Sequence, residues 1–454
     1  MEAFLLIFMI LILMLIALMV NKNDLFSPSM LLIYGYLITS VFCILNTSKW
    51  GLVLNTTTIW FLGFGILSFI IGELIFNVFH KPKIRKTCNN VWLDNFKINS
   101  LWLIIFVLFD AILLYFSIRD LINAYGSFSS FAKMIGVYRK ELNYGDSTVA
   151  SSLVVQMRKI SKPIAFICLF DFINGFFKKK KEVRVLFLIP IIMHIFATLM
   201  TGGRNELIAF SVSIVFLTFF ENQARNNWKL KFKFKSLIKV ALLFVIFCFV
   251  FYGLQFFLGR NSNDDIFSYI SKYIGSSIYL LNDYLMDSSR LNTGGTETFP
   301  GIFSSLSKIG LNFEYIHKSL EFRSTNTGIY LGNIYTGLRR NYSDFGLIGL
   351  FICQFLMSYL FNYLYYKIKN INQLNSKNIF ILLLYTMLVY TLVVQAMEDA
   401  FWMDLSIGFI TELIIAFVVY FIIINFRYSS GVFILYSNNY RNEVVYERNG
   451  FCRR

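Results

Sequence analysis

At 454 residues the chain is 57% hydrophobic and 18% aromatic with only 15% charged residues, which excludes an ordinary soluble protein and points to the bilayer. The net charge of +16 does not imply a nucleic-acid partner, because lysine and arginine fall in short segments between apolar runs, the distribution that sets membrane topology. Six cysteines occur singly, with neither metal-ligand nor disulfide spacing.

In chain order, apolar runs long enough to cross a hydrocarbon core of about 30 Å predict about eleven spans, at 3–20, 28–45, 57–79, 99–117, 161–177, 184–200, 205–220, 237–258, 346–365, 379–397 and 405–426. Each must be a helix, since backbone polar groups in lipid need partners within their own segment. The first run lacks a basic leader and a small-residue cleavage site, so it reads as a retained helix, not a signal peptide. Asp171 interrupts the run at 161–177, yet keeping that span preserves the alternation of loop charge. The segments 21–27, 80–98, 178–184, 221–239, 366–378 and 427–454 then lie on one side. They carry the basic runs Lys178-Lys179-Lys180-Lys181 and Lys229, Lys231, Lys233 and Lys235, which makes that side cytoplasmic, with the N-terminus outside and the C-terminus inside. The fold class is all-α: a polytopic membrane helix bundle forming one integral domain over 1–454, without internal repeats.

Two longer hydrophilic segments, 118–160 and 259–345, fall outside in this topology. In the larger one Ile266, Tyr269, Ile270, Tyr273, Ile274 and Ile278 recur at helical spacing. They predict an amphipathic helix that lies on the outer leaflet or caps the bundle. A weaker pattern, including Met134, Ile135 and Tyr138, runs through 118–160.

Charges inside spans are few: Glu73, Asp110, Asp171 and Glu412, with Glu206 near a span end. His194, the mid-span histidine, reads as a satisfied bundle residue. There is no nucleotide-binding glycine loop, no His-Glu-x-x-His, no Gly-x-Ser-x-Gly and no Asp-x-Asp, so neither a metal nor another cofactor is expected.

What remains is arginine on the outside, against the usual charge bias. Arg204 follows Gly202-Gly203 at the start of a helix, where backbone N–H groups and the helix dipole favour an anion; a phosphate or pyrophosphate suits that arrangement. The plain alternative is an anchor at the helix end, or a pair with Glu206. Arg339 and Arg340 are adjacent and point different ways, so at most one faces a given ligand. Tyr342 and Asp344 follow them. Asp344 either pairs with an arginine or accepts a proton from a sugar hydroxyl. Arg260, Arg290 and Arg323 are further outer cations, and His317 is the extracytoplasmic histidine.

The segment Thr201-Gly202-Gly203-Arg204-Asn205-Glu206 opening a span resembles the bacterial O-antigen polymerases (Wzy, the oligosaccharide repeat-unit polymerases). So does Gly332-Asn333-Ile334-Tyr335-Thr336 leading to Tyr342-Ser343-Asp344-Phe345-Gly346 and another span, after a large outer loop. The resemblance implies a GT-C-like bundle and a metal-independent, inverting glycosyltransferase in the bacterial inner membrane, making lipopolysaccharide or a related surface polysaccharide. Such an enzyme joins undecaprenyl-pyrophosphate-linked oligosaccharide repeat units at the periplasmic face, alongside a chain-length regulator and a flippase. It assigns Arg204 to the pyrophosphate and Arg340 and Asp344 to the catalytic site. Arg339, Tyr342, Asn333 and Tyr335 are then expected to bind substrate, with Arg260, Arg290, Arg323 and His317 as further candidates. The base is open among Asp344, Glu398, Asp399 and His317. Two other readings stand beside it: an O-antigen ligase that transfers the glycan to the lipid A core, and a lipid-linked oligosaccharide flippase or other transporter.

Overall fold

The computed structural model describes residues 2–80, 91–125, 130–144, 151–178, 183–229, 234–260, 264–287, 293–313, 319–371, 373–429 and 432–435. Arg290 and His317, and Lys179 to Lys181 of the basic run, lie outside the described residues.

Among the described residues, ten helices are long and apolar enough to cross a membrane. The bundle is built from α1 (Glu2–Val20), α2 (Pro28–Leu45), α3 (Thr56–His80), α4 (Ser100–Tyr125), α5 (Phe131–Tyr144), α6 (Ser152–Phe177), α7 (Leu188–Leu199), α8 (Asn205–Arg225) and α9 (Phe234–Phe257). It continues through α10 (Ile266–Ile274), α11 (Ser276–Met286), α12 (Gly337–Lys369), α13 (Ser376–Leu388), α14 (Tyr390–Val394), α15 (Ala400–Asp404) and α16 (Ile407–Asn425). Of the predicted spans, 184–200 is the one that falls short: a 3-10 turn at Val185–Phe187 precedes a shorter apolar helix.

Several boundaries differ from the sequence expectation for local reasons. The span expected at 161–177 starts nine residues earlier, at Ser152, because Ser151 caps it by accepting the N–H of Val154. With α4 running on to Tyr125, the hydrophilic segment at 118–160 is largely helical at both ends. Asp171 is tolerated inside α6 because Arg184 reaches back to it at 3.0 Å. The amphipathic stretch in the larger loop is two helices, α10 and α11, separated at Gly275. A Cβ there would lie 2.7 Å from the backbone nitrogen of Cys43, so this pair caps the bundle in contact with α2. The same loop also holds an antiparallel pair of short strands, Arg323–Ser324 with Tyr330–Gly332.

The most extensive helix contact is between α3 and α12. A Cβ on Gly65 would overlap Leu338, and one on Gly72 would lie 2.9 Å from the carbonyl oxygen of Phe355. Small residues let the backbones touch, the usual device where lipid gives helices no hydrophobic reason to associate. Gly346 interrupts α12 with φ 69° and ψ −164°, a conformation open essentially to glycine alone. The Gly337–Phe345 piece, carrying Arg339 and Arg340, is thereby kinked away from the spanning piece that follows. Gly346→Ala is expected to destabilise the protein by about 1–3 kcal/mol, read as a lower thermal unfolding midpoint in detergent.

Candidate functional site

A cavity of about 1080 Å³ runs through the bundle beside α2, α8 and α9. Most of its wall is apolar: Leu31 and Ile38 of α2, Ile208 and Val215 of α8, Phe244 and Phe247 of α9. Arg204, Arg260, Arg340, Tyr273, Asn333, Tyr335 and Glu398 also line it, brought there from separate parts of the sequence. Its volume exceeds the range of about 300–1,000 Å³ that suits drug-sized ligands, and its lining fits a large amphiphile.

Arg204 ends the turn Thr201–Gly203 and is the N-cap of α8. Its guanidinium donates to the Tyr269 hydroxyl at 2.6 Å and to the carbonyl of Phe251 at 3.4 Å, and stands over the Phe251 ring at 4.5 Å. Burial pushes the Tyr269 hydroxyl up to about 12, so it stays neutral beside the cation. Arg260 donates to the hydroxyl of Tyr273 at 3.0 Å and to the carbonyl of Gly202 at 2.7 Å. Among the described residues neither guanidinium has a carboxylate partner. Glu206 does not pair with Arg204; it meets Lys162 of α6 at 3.1 Å, and Lys162 also reaches Glu412 at 3.1 Å. The two glycines differ in role. Gly202 has φ 76° and is packed under the side chain of Arg139, whereas Gly203 is exposed and lines the cavity.

The adjacent arginines of α12 separate as their spacing requires. Arg340 lines the cavity and donates to the carbonyl of Glu297 at 2.8 Å. Arg339 points elsewhere. It is 1% exposed, pairs with Glu321 at 2.5 Å and with buried Glu297 at 3.5 Å, and is flanked by the rings of Tyr284 and Tyr335. Tyr335 donates to Glu321 at 3.1 Å while its other side borders the cavity, and Asn333 donates to the carbonyl of Leu320 at 3.3 Å. Arg323 is held outside the cavity by Asp283, Asp287 and Glu321. Tyr342 packs edge-on against Phe61.

Asp344 and Asp399 both tie loops together. Asp344 accepts from the Thr293 hydroxyl and, at 2.6 Å, from the N–H of Thr298; it does not line the cavity. Asp399 caps α15 through the N–H of Trp402 and accepts from Asn341 at 2.9 Å. Glu398 is the carboxylate on the cavity wall. Burial raises it above the ordinary range, with Arg340 pulling the other way. Sequence reasoning missed Tyr269 and Tyr273 as partners of the arginines, although both lie on the apolar face of the amphipathic pattern, four residues apart. It missed Glu297 and Glu321 altogether.

No protein-family model, curated protein or solved structure matches this chain. Fold and cavity together define a multi-pass helical membrane protein with a large, mostly apolar cavity bordered by three arginines.

The two kinds of arginine differ in what their removal leaves behind. Arg339→Ala strands a buried carboxylate and is expected to destabilise the fold by about 3–5 kcal/mol. Arg204→Ala strands none, and its thermal unfolding midpoint is expected to fall much less.

Proposed function

We propose that this protein polymerises lipid-pyrophosphate-linked oligosaccharide repeat units at the extracytoplasmic face of a bacterial inner membrane, as the resemblance to the O-antigen polymerases implies. The observation that carries the reading is the pair of cavity-lining guanidiniums, Arg204 and Arg260, held by neutral groups and without a carboxylate partner among the described residues. Arginine charge left uncompensated in an apolar cavity matches a ligand that is anionic at its head and apolar along its tail. A polyprenyl diphosphate has that form.

In this proposal Arg204 and Arg260 grip the diphosphate of the donor, with Arg340 at the same cavity. A hydroxyl of the acceptor sugar, carried on a second lipid, attacks the anomeric carbon of the donor glycan. Its proton passes to the Glu398 carboxylate. The bond from the anomeric carbon to the diphosphate oxygen breaks, and its electron pair leaves on the diphosphate, where the arginines stabilise the developing charge. Attack from the face opposite the leaving group inverts the anomeric centre. Glu398 is favoured as the base over Asp344 and Asp399 because it alone of the three lines the cavity; Asp344 and Asp399 spend their oxygens on loop N–H and side-chain donors.

Purified protein supplied with a lipid-linked repeat unit is expected to yield a ladder of polymer lengths. Arg204→Ala is expected to lower kcat by about 10²–10³-fold while leaving the amount of folded protein intact. A normal ladder from that variant would refute the assignment, and transfer only to a lipid A core acceptor would make the protein a ligase.

The pH dependence follows from Glu398. Only its deprotonated form accepts a proton, and burial raises it above its ordinary 4.5. The rate is therefore expected to fall as pH drops, along an acidic limb lying above 4.5. Glu398→Gln is expected to remove that limb and about 10²–10⁴-fold of the rate.

A further inference from the structure

Tyr273 of α10 borders the cavity together with Arg204 and Arg260, and takes no part in the transfer step itself. Its ring meets that of Phe251 edge-on at 5.2 Å and that of Tyr269 at 5.0 Å, and the Arg204 guanidinium stands over it at 5.3 Å. These contacts fix where the hydroxyl sits. Arg260 donates to its oxygen at 3.0 Å. Among the described residues the O–H of Tyr273 itself donates to nothing.

The hydroxyl is thus committed as an acceptor and open as a donor. It stands within hydrogen-bond reach of a guanidinium that lines the cavity, so an anion gripped by that guanidinium lies beside it. A diphosphate is rich in acceptor oxygens, and a phenol supplies one more N–H-like donor to it without adding charge.

We infer, resting on the diphosphate reading of Arg204 and Arg260, that Tyr273 is a third binding residue whose O–H donates to the diphosphate, and that loss of this proton to water expels the ligand. Once ionised, the phenolate pairs with Arg260, cancels charge that the ligand needs and repels the anion at short range. Burial raises the phenol, but Arg260 and Arg204 outweigh it and hold Tyr273 below the ordinary 10.0. Tyr269 goes the other way, pushed up by burial to about 12, so Tyr273 is the first of the two to ionise. Other charged groups around α10 are engaged elsewhere: Lys272 with Asp264 at 2.7 Å, Lys49 with Ser268 at 2.6 Å, and Asp283 of α11 with Arg323. Asp265 caps the helix, α2 presents the apolar Ile38 and Phe42, and Tyr252 of α9 packs edge-on against Tyr269. Glu398 borders the same cavity. Binding is therefore complete while Tyr273 is neutral and is lost as pH rises through a value below 10.0.

The test uses the full-length protein in detergent at constant ionic strength, titrated calorimetrically with farnesyl diphosphate, with inorganic diphosphate and with farnesol. Farnesyl diphosphate is expected to bind at about pH 7, where its last ionisation near 6 is already complete, and to weaken steeply towards about pH 10. Tyr273→Phe is expected to bind about 10- to 100-fold more weakly at about pH 7 and to lose the alkaline fall. A variant with wild-type affinity and profile would overturn the inference and leave the diphosphate reading standing. Should the variant not fold, the wild type still decides, since an affinity unchanged by alkaline pH overturns the inference in the same way. An equal alkaline fall for farnesol would place the effect on the apolar tail and overturn it too. Inorganic diphosphate is expected to bind more weakly with the same profile; equal affinity would keep the role of Tyr273 but make the ligand a free anion, against the lipid-carrier reading. A wild type that binds no farnesyl diphosphate refutes the diphosphate reading, and the role of Tyr273 falls with it.

Discussion

Arginine held by neutral groups, with no acid beside it among the described residues, is the constraint around which this bundle is organised. A guanidinium lodged in an apolar cavity is unfavourable unless its N–H groups find acceptors and its charge finds polarisable neighbours. Arg204 and Arg260 meet much of that requirement with two phenols, two backbone carbonyls and the face of Phe251, the Nε of each being buried without a partner among the described residues. These partners satisfy hydrogen bonds without cancelling charge. The positive potential therefore survives into the cavity, where a carboxylate partner would have quenched it. To supply the phenols, α10 must sit against α2 and the turn before α8, so the cap over the bundle and the electrostatics of the cavity come from one packing arrangement.

The opposite solution is used at Arg339 of α12. Arg339 is sandwiched by two tyrosine rings and held by two glutamates, and its charge is spent on fixing the loop over Glu297 and Glu321 to α12. One residue further along the helix, Arg340 turns to the cavity. Adjacent arginines thus divide into a pillar of the fold and part of the cavity wall, as helical geometry imposes on neighbours about 100° apart.

Most of the helical architecture was legible from hydropathy because spans advertise themselves by length and by the loss of charge. What escaped were features set by contacts between distant segments. The early start of α6 depends on one serine cap, and the division of α10 from α11 depends on the backbone of α2 pressing on Gly275. Arg204 and Arg340 were both legible as cations near span ends, but that they border one cavity depends on how distant segments assemble, which no local pattern records. Asp344 has the sequence context of a reacting acid and yet ties down Thr293 and Thr298, since a buried carboxylate near a loop satisfies itself with whatever donors fold against it. Lys162, binding Glu206 and Glu412 from two other helices, shows the same limit: pairing inside a membrane is visible only once the helices are assembled.

The helix α9 is the least buried of the spans. Phe244, Phe247 and Phe251 look into the cavity, while Leu242, Phe249 and Phe256 face outward, exposed. One layer of side chains thus partitions the cavity from surrounding lipid, and little packing holds that partition against the remaining helices. Shifting it sideways exchanges protein–lipid contact for more of the same, an almost neutral trade in hydrocarbon. The partition formed by α9 is therefore where the interior of the bundle is set apart from hydrocarbon by the least protein.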